Sequence, residues 1–386
     1  MPDRTAAGPI PAHTAHRQHL QGVCAGDGRR LSALLEHLGQ QLTRNTDFST
    51  MINCGIIGFG KMGKIRAKAI EDSGQGRIAA VHDVALTADL PYASVASPEA
   101  IINAPGIDAV FVCTPNHLIP PLCSAGLAAG KHVFSEKPPA FNAAQVRQVI
   151  DAEKAAPQSK LMYGFNHRHH DSIKRMKEIV DAGELGKVLW MRGRYGKEVD
   201  DSYFKGWRAN PELAGGGILL DQGIHMVDLM LHLGGRFDEV AAFVSNLFWK
   251  IDGLEDNVFA IFRSGETGIC ASLHSTMTQW RYLFSLEVFL EGGALILNGL
   301  KTSSGAYGDE VLSIKRNPSH LLDGRFEKEE QIVFHVDRSW QSEVDHFFDC
   351  IVHDRTVCHG SSGDALAVME LIDRTYAVGK QAGVSK

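Results

Sequence analysis

Ile52-Asn53-Cys54-Gly55-Ile56-Ile57-Gly58-Phe59-Gly60-Lys61-Met62-Gly63-Lys64-Ile65-Arg66-Ala67 is the stretch on which the fold turns. It opens with a short apolar run bounded by glycine, which reads as a buried strand, and continues into helical spacing. Between the two stand glycines at 58, 60 and 63. The first suits a tight turn, the second lets backbone approach a pyrophosphate, and the third lets helix pack on strand. Free amides at the positive end of the helix dipole then face the anion. A lone Gly-x-Gly-x-x-Gly says little. Here strand and helix flank it, and Asp83 closes the next strand at the distance where a carboxylate meets ribose hydroxyls. Asp83 can also be read as a plain turn residue. Gly58, Phe59, Gly60, Lys61, Met62, Gly63 and Asp83 are thus expected around a dinucleotide. A carboxylate at 83 repels a 2′-phosphate, and Val84-Ala85-Leu86 brings no arginine to receive one, so NAD is expected over NADP.

Downstream, strand-like runs at Arg77–Asp83, Ala109–Cys113, His132–Glu136 and Leu161–Phe165 alternate with helical patterns at Pro98–Ile102, Pro121–Ala129 and Ala143–Ala155. That alternation implies a parallel sheet with helices on both faces, the doubly wound α/β (Rossmann) architecture. After residue 186 the texture changes. Strands at Val188–Tyr195, Glu239–Trp249, Asn257–Arg263, Gly268–Ser275, Phe284–Leu290 and Ala294–Leu297 are separated in several places by turns such as Ser264-Gly265 and Gly292-Gly293. Short turns imply a large open antiparallel sheet in an α+β second domain. Helices are expected at Ser172–Ala182, Leu219–Leu233, Ser342–Val352 and Ala365–Gln381. The expected division is a nucleotide domain over 51–170 and a substrate-binding and oligomerisation domain over 171–386, whose last helices can return to the first domain.

Residues 1–50 read as an N-terminal extension with one amphipathic segment over Arg30–Leu42; Met51 is an alternative natural start. The seven cysteines are scattered without a Cys-x-x-Cys pair, as expected of reduced thiols in a cytoplasm. No apolar stretch has the length of a membrane span, and charges of both signs are interspersed around a net −6. Neither nucleic acid nor a membrane surface is an expected partner.

Two further segments carry chemistry. Glu136-Lys137-Pro138 lies at the carboxyl end of a parallel strand, where open α/β sheets bind ligands. Gly215-Gly216-Gly217 leads to Asp221 and His225, which share a helix face at a spacing of four. Together with Thr114-Pro115-Asn116, Gly164-Phe165-Asn166, Gly183-Glu184-Leu185-Gly186 and Trp207-Arg208, these marks appear in order across 51–380. In them the chain resembles the glucose–fructose oxidoreductase / inositol dehydrogenase / MocA (Gfo/Idh/MocA) family, nearest its sugar and nucleotide-sugar dehydrogenases. The resemblance implies that Lys137 hydrogen-bonds the reacting hydroxyl beside the nicotinamide. It makes Asp221 an orienting or proton-relaying group and His225 the general acid and base. A histidine titrates where such transfer is efficient. The resemblance places further cofactor contacts at Thr114, Pro115, Asn116, Glu136, Lys137, Trp207 and Arg208.

Duller readings stand beside these. Lys137 can be a surface lysine, Asp221 a helix cap, and His225 a satisfied core histidine. Asp228 can be a solvent-facing group or a partner for a buried one, and is given no catalytic role. Family members commonly carry a histidine five residues after the threonine of Thr-Pro-Asn. Here Ile119 stands there, and His117 is left outside the catalytic set. Asn166-His167-Arg168-His169-His170 suggests a metal site, but near-consecutive histidines cannot converge from an extended segment, so no metal is expected. Arg168 and His169 are instead expected to contact substrate.

The leading expectation is an NAD-dependent dehydrogenase of a sugar, cyclitol or nucleotide-sugar. An NAD-dependent glycosidase or epimerase-like enzyme using transient oxidation, and a non-catalytic NAD-binding regulator, are the alternatives. The open sheet predicts a homodimer or homotetramer, because an uncovered apolar face is a liability.

Overall fold

The computed structural model describes residues 51–86, 90–317 and 328–381; the extension with its Arg30–Leu42 segment lies outside them. The chain enters as β1 (Ile52–Ile57), α1 (Lys61–Ser73), β2 (Gly76–His82) and β3 (Ala93–Ser94). It continues through α2 (Pro98–Ile102), β4 (Ala109–Val112), α3 (Ile119–Ala128), β5 (His132–Ser135), α4 (Ala143–Ala155) and β6 (Leu161–Tyr163). The six strands lie parallel in the order β3-β2-β1-β4-β5-β6. β4 is buried throughout because helices cover both faces. Local chemistry sets the helix ends. Ser97 caps α2 by accepting from the Ala100 amide, with Pro98 at its first position, and Gly74 ends α1 in the left-handed conformation at φ 64°.

The second half contains α5 (Asp171–Asp181), β7 (Val188–Glu198), α6 (Pro211–Ala214), a π-turn at Leu219–Gly223 and α7 (Ile224–Gly234). Then follow β8 (Glu239–Ser245), β9 (Asn257–Arg263), β10 (Cys270–Thr276), β11 (Thr278–Leu290), β12 (Gly293–Asn298), β13 (Glu310–Arg316) and β14 (Glu330–Phe334). Two helices close the chain, α8 (Ser339–Val352) and α9 (Ser362–Gln381). The eight strands run β14-β13-β12-β11-β7-β10-β9-β8. This sheet is mixed rather than purely antiparallel: β7 pairs β10 in parallel, since α7, β8 and β9 intervene between them in the chain.

Three other differences concern single elements. The strand expected over Glu239–Trp249 stops at Ser245, because the Asp256 carboxylate gathers the amides of Leu247, Phe248 and Trp249 at 2.8, 2.7 and 3.0 Å and turns the chain. The helix expected over Leu219–Leu233 begins as a π-turn. β13 and β14 have no counterpart in the sequence pattern; β13 turns a buried Glu310 inward, against the usual alternation.

The two sheets share one core, in which Val110 and Tyr163 of the first join Met191, Leu273 and Leu286 of the second, and a separate cluster joins the first sheet to α8. Phe111 and Phe134 stack at 5.0 Å, and Phe347 of α8 meets both edge-on at 5.8 and 5.6 Å. Beside them Arg66 of α1, fully buried, binds Glu136 at 2.6 Å and Glu343 of α8 at 2.5 Å. These ties hold α8 against α1 and the carboxyl edge of the first sheet.

Candidate active site

The order of the first sheet reverses between β1 and β4, and a crevice opens above that switch point. A cavity of about 1290 Å³ fills it, lined by Gly58, Gly60, Lys61, Met62 and Asp83. Thr114, Pro115, Asn116, Glu136, Lys137, Trp207 and Arg208 line it as well. Phe59 and Gly63 do not line it. Phe59 is buried and its amide donates to Asp83 at 2.6 Å, which ties the glycine loop to the end of β2. Asp83 thus serves the turn and the cavity together.

The three glycines differ in what demands them. Gly58 sits at φ +92°, and a Cβ there would lie 2.4 Å from the Cys113 carbonyl oxygen. A Cβ on Gly63 would lie 2.2 Å from the Gly58 oxygen. On Gly60 it would meet nothing within 4 Å, and that residue faces the cavity. No protein atom requires glycine at 60; a close-fitting ligand does. Thr114 adds a buried hydroxyl with no partner among the described residues, and Lys61 an ammonium. These residues fit a dinucleotide.

A second cavity of about 480 Å³ adjoins the first, within the usual range of small-molecule sites. Lys61, Lys137, Trp207, Arg208 and Asp221 line both. Tyr195, Lys197, Tyr203, Gln222 and His225 line the second alone. Lys137 arrives from the end of β5, Lys197 from β7, Asp221 from the π-turn and His225 from the first turn of α7. The glycine run makes this possible. A Cβ on Gly217 would lie 1.9 Å from the Glu255 carbonyl oxygen, and the Glu255 carboxylate accepts from the amides of Gly217 and Leu219 at 2.8 and 2.9 Å. π-turns often mark functional segments.

Asp221 is the electrostatic centre. It accepts from Lys197 at 2.7 Å, Tyr203 at 3.1 Å and Arg208 at 3.2 Å, with the Lys137 ammonium 3.8 Å away. Lys137 also donates to the Asp221 main-chain oxygen. Burial alone would raise the Asp221 carboxyl, but Lys197, Lys137 and Arg208 outweigh it and hold it well below the usual carboxylate range. Burial lowers the Lys137 ammonium, opposed by Asp221. His225 is held well below its ordinary 6.5, first by burial and then by Lys137, with Asp221 opposing. The imidazole is therefore neutral at pH 7. It stacks on His167 at 3.9 Å, whose Nε2 accepts from the Tyr195 hydroxyl at 2.9 Å, and its Nδ1 has no partner among the described residues.

The histidine run diverges. His167 goes to His225, His169 to His346 and His359 with ring centres about 6 Å apart, and His170 to Glu310 at 2.9 Å. Arg168 and His169, expected to contact substrate, do not line the smaller cavity. Arg168 is buried against Asp228, with hydrogen bonds of 2.6–3.0 Å, and against Asp364 at 3.1 Å. Asp228 is thus a buried partner, not a solvent-facing group. His117 lines the larger cavity, and Ile119 is wholly buried. Lys197, Tyr195, Tyr203 and Gln222 are site residues that the sequence pattern does not disclose. Lys197 lies just past the end of the strand expected over Val188–Tyr195.

Comparison with known proteins agrees with this architecture. A family model described as an oxidoreductase family with an NAD-binding Rossmann fold matches residues 52–165, and a GFO/IDH/MocA C-terminal domain model matches 173–296. Together they span more than half of the chain. A myo-inositol 2-dehydrogenase of Thermotoga maritima is 28% identical over 274 residues, covering 66% of this chain and 78% of that one. A D-glucoside 3-dehydrogenase of Escherichia coli is 35% identical over 156 residues, 40% of this chain and 43% of the other. Among solved structures, levoglucosan dehydrogenase in complex with NADH and levoglucosan superposes with a TM-score of 0.75 at 22% identity, over 86% of this chain and 97% of that one.

Proposed function

The chain belongs to the GFO/IDH/MocA oxidoreductase family, with an NAD-binding Rossmann fold at its amino-terminal end, and from that premise we propose that it is a dehydrogenase of a sugar or cyclitol. One observation carries the reading: Lys137 and Asp221 stand where the nucleotide cavity opens into a small polar cavity lined by His225. The overall reaction converts a secondary alcohol and oxidised NAD into a ketone, NADH and a proton. NAD, when bound, supplies the two-electron acceptor. The residues of the chain handle the proton and the charge.

Lys137 donates to the substrate hydroxyl and favours negative charge building on that oxygen. His225, neutral at pH 7, takes the proton, and returns it in the reverse direction. Asp221 stays ionised. Its part is to position Lys137, Lys197 and Arg208 rather than to carry a proton. Phe243, Phe259, Ile261 and Trp190 stand exposed on one face of the second sheet, while their neighbours Val258, Ala260 and Phe262 are buried. An apolar face of this kind supports a homodimer or homotetramer.

The test is absorbance at 340 nm with oxidised NAD and a panel of cyclitols and of free and nucleotide-linked sugars. A dehydrogenase accumulates NADH with at least one of them. Turnover without net NADH would mean transient oxidation instead, and inertness towards the whole panel would leave a cofactor-binding regulator.

A further inference from the structure

We propose that the substrate carries an anionic group, a carboxylate or a phosphate, and that Lys197 selects for it; this rests on the dehydrogenase reading above. The small cavity is lined by four cations, Lys61, Lys137, Lys197 and Arg208, and by one carboxylate, Asp221. Lys61, next to the glycine loop, lines the nucleotide cavity where a pyrophosphate offers it charge. Lys137 is committed to the reacting hydroxyl. Lys197 lines only the small cavity.

The partner of Lys197 is already shared. Asp221 holds Lys197 at 2.7 Å while also accepting from Arg208 and Tyr203 and facing Lys137. One carboxylate among three cations leaves two positive charges in excess, before an oxidised nicotinamide adds another. Like charges repel, and the hydroxyl oxygens of a neutral polyol accept hydrogen bonds from them without cancelling any charge. An anionic substituent cancels one. Arg208 supplies a second sign. It meets Asp221 through Nε alone, and among the described residues neither terminal nitrogen makes a hydrogen bond. Such a planar fork suits two oxygens of one anion. Lys197 helps keep Asp221 ionised, and its ammonium also stands where it can hold a charge at a fixed distance from the reacting hydroxyl.

The experiment compares NAD-dependent turnover of matched pairs by the intact protein and by Lys197→Gln. The pairs are glucose with glucuronate, galactose with galacturonate, glucose with glucose 6-phosphate, and myo-inositol with inositol 1-phosphate, so the arms separate carboxylate from phosphate. One charge-assisted hydrogen bond corresponds to an advantage of about 10- to 100-fold in kcat/KM for the anionic member of a pair. Lys197→Gln should bring that ratio to within about threefold. A residue acting only through Asp221 would lower both members alike and leave the ratio intact, which overturns the selective role. Titration of the same compounds into the NADH-loaded wild-type protein needs no variant: tighter binding of an anion supports the proposal, and equal affinities overturn it. NADH production from neutral sugars with no advantage for anions discards the proposal and leaves the dehydrogenase standing. Failure of every compound to reduce NAD removes both.

Discussion

Gly60→Ala separates a glycine required by a ligand from one required by the fold. Its backbone, at φ −72° and ψ −153°, lies outside the left-handed region, and an added Cβ meets no protein atom within 4 Å. Alanine is a poorer helix N-cap than glycine, but it also lowers the entropy of the unfolded chain. The two effects oppose each other at about 0.5–1 kcal/mol each, so stability should stay within about 1 kcal/mol of wild type. Gly63→Ala is the control. Its Cβ would stand 2.2 Å from the Gly58 carbonyl oxygen, which is backbone and cannot swing away. Forcing α1 off β1 should cost about 1–3 kcal/mol, as overpacking usually does. In the cavity the ranking reverses. A methyl at 60 occupies the space through which a pyrophosphate reaches the amides, and losing one charge-assisted contact weakens NADH binding about 10- to 100-fold. Calorimetric Tm and NADH fluorescence titration read the two quantities independently. Near-wild-type NADH affinity in Gly60→Ala, or destabilisation equal to that of Gly63→Ala, would refute the reasoning.

Other expectations follow from the same geometry. With His225 depressed below 6.5, kcat/KM for oxidation should stay flat from neutrality down and fall only below pH 6.5; an acid limb at or above that value would contradict the assignment. Lys137→Met removes a cation that lowers His225, so the same limb should move to higher pH while kcat falls. Burial raises the Glu343 carboxyl from 4.5 to about 8, so the stability it contributes is full below its unfolded value and lost as pH rises through the folded one. Urea titrations at pH 6 and pH 9 should therefore differ less for Glu343→Gln than for wild type. Phe259→Glu, on the exposed sheet face, should lower the mass seen by light scattering, and a monomeric wild-type protein would count against a covered sheet.

Much of the fold is legible in the sequence because its signals are local. Strand, glycine turn and helix follow one another over 52–73, and α4 spans the expected Ala143 to Ala155. What escapes is set by partners far along the chain. Arg66 sits on an amphipathic helix where arginine usually faces water, yet it is buried because Glu343 waits 277 residues later. Arg168 looks like a cleft residue until Asp228, 60 residues on, claims its guanidinium. β13 hides because its inward Glu310 finds His170, a pairing that no period-2 pattern encodes. In the site, Lys137, Asp221 and His225 lie in recognisable segments. Lys197 does not, since a lysine near a strand end gives no local sign that it points inward at a carboxylate 24 residues away.

The central claim is one of position, and a crystal structure of the NADH complex tests it most directly. The nicotinamide ring is expected at the mouth shared by the two cavities, against Lys137 and facing the His225 imidazole. A ring bound elsewhere, or a dinucleotide reversed so that adenine occupies that mouth, would contradict the account.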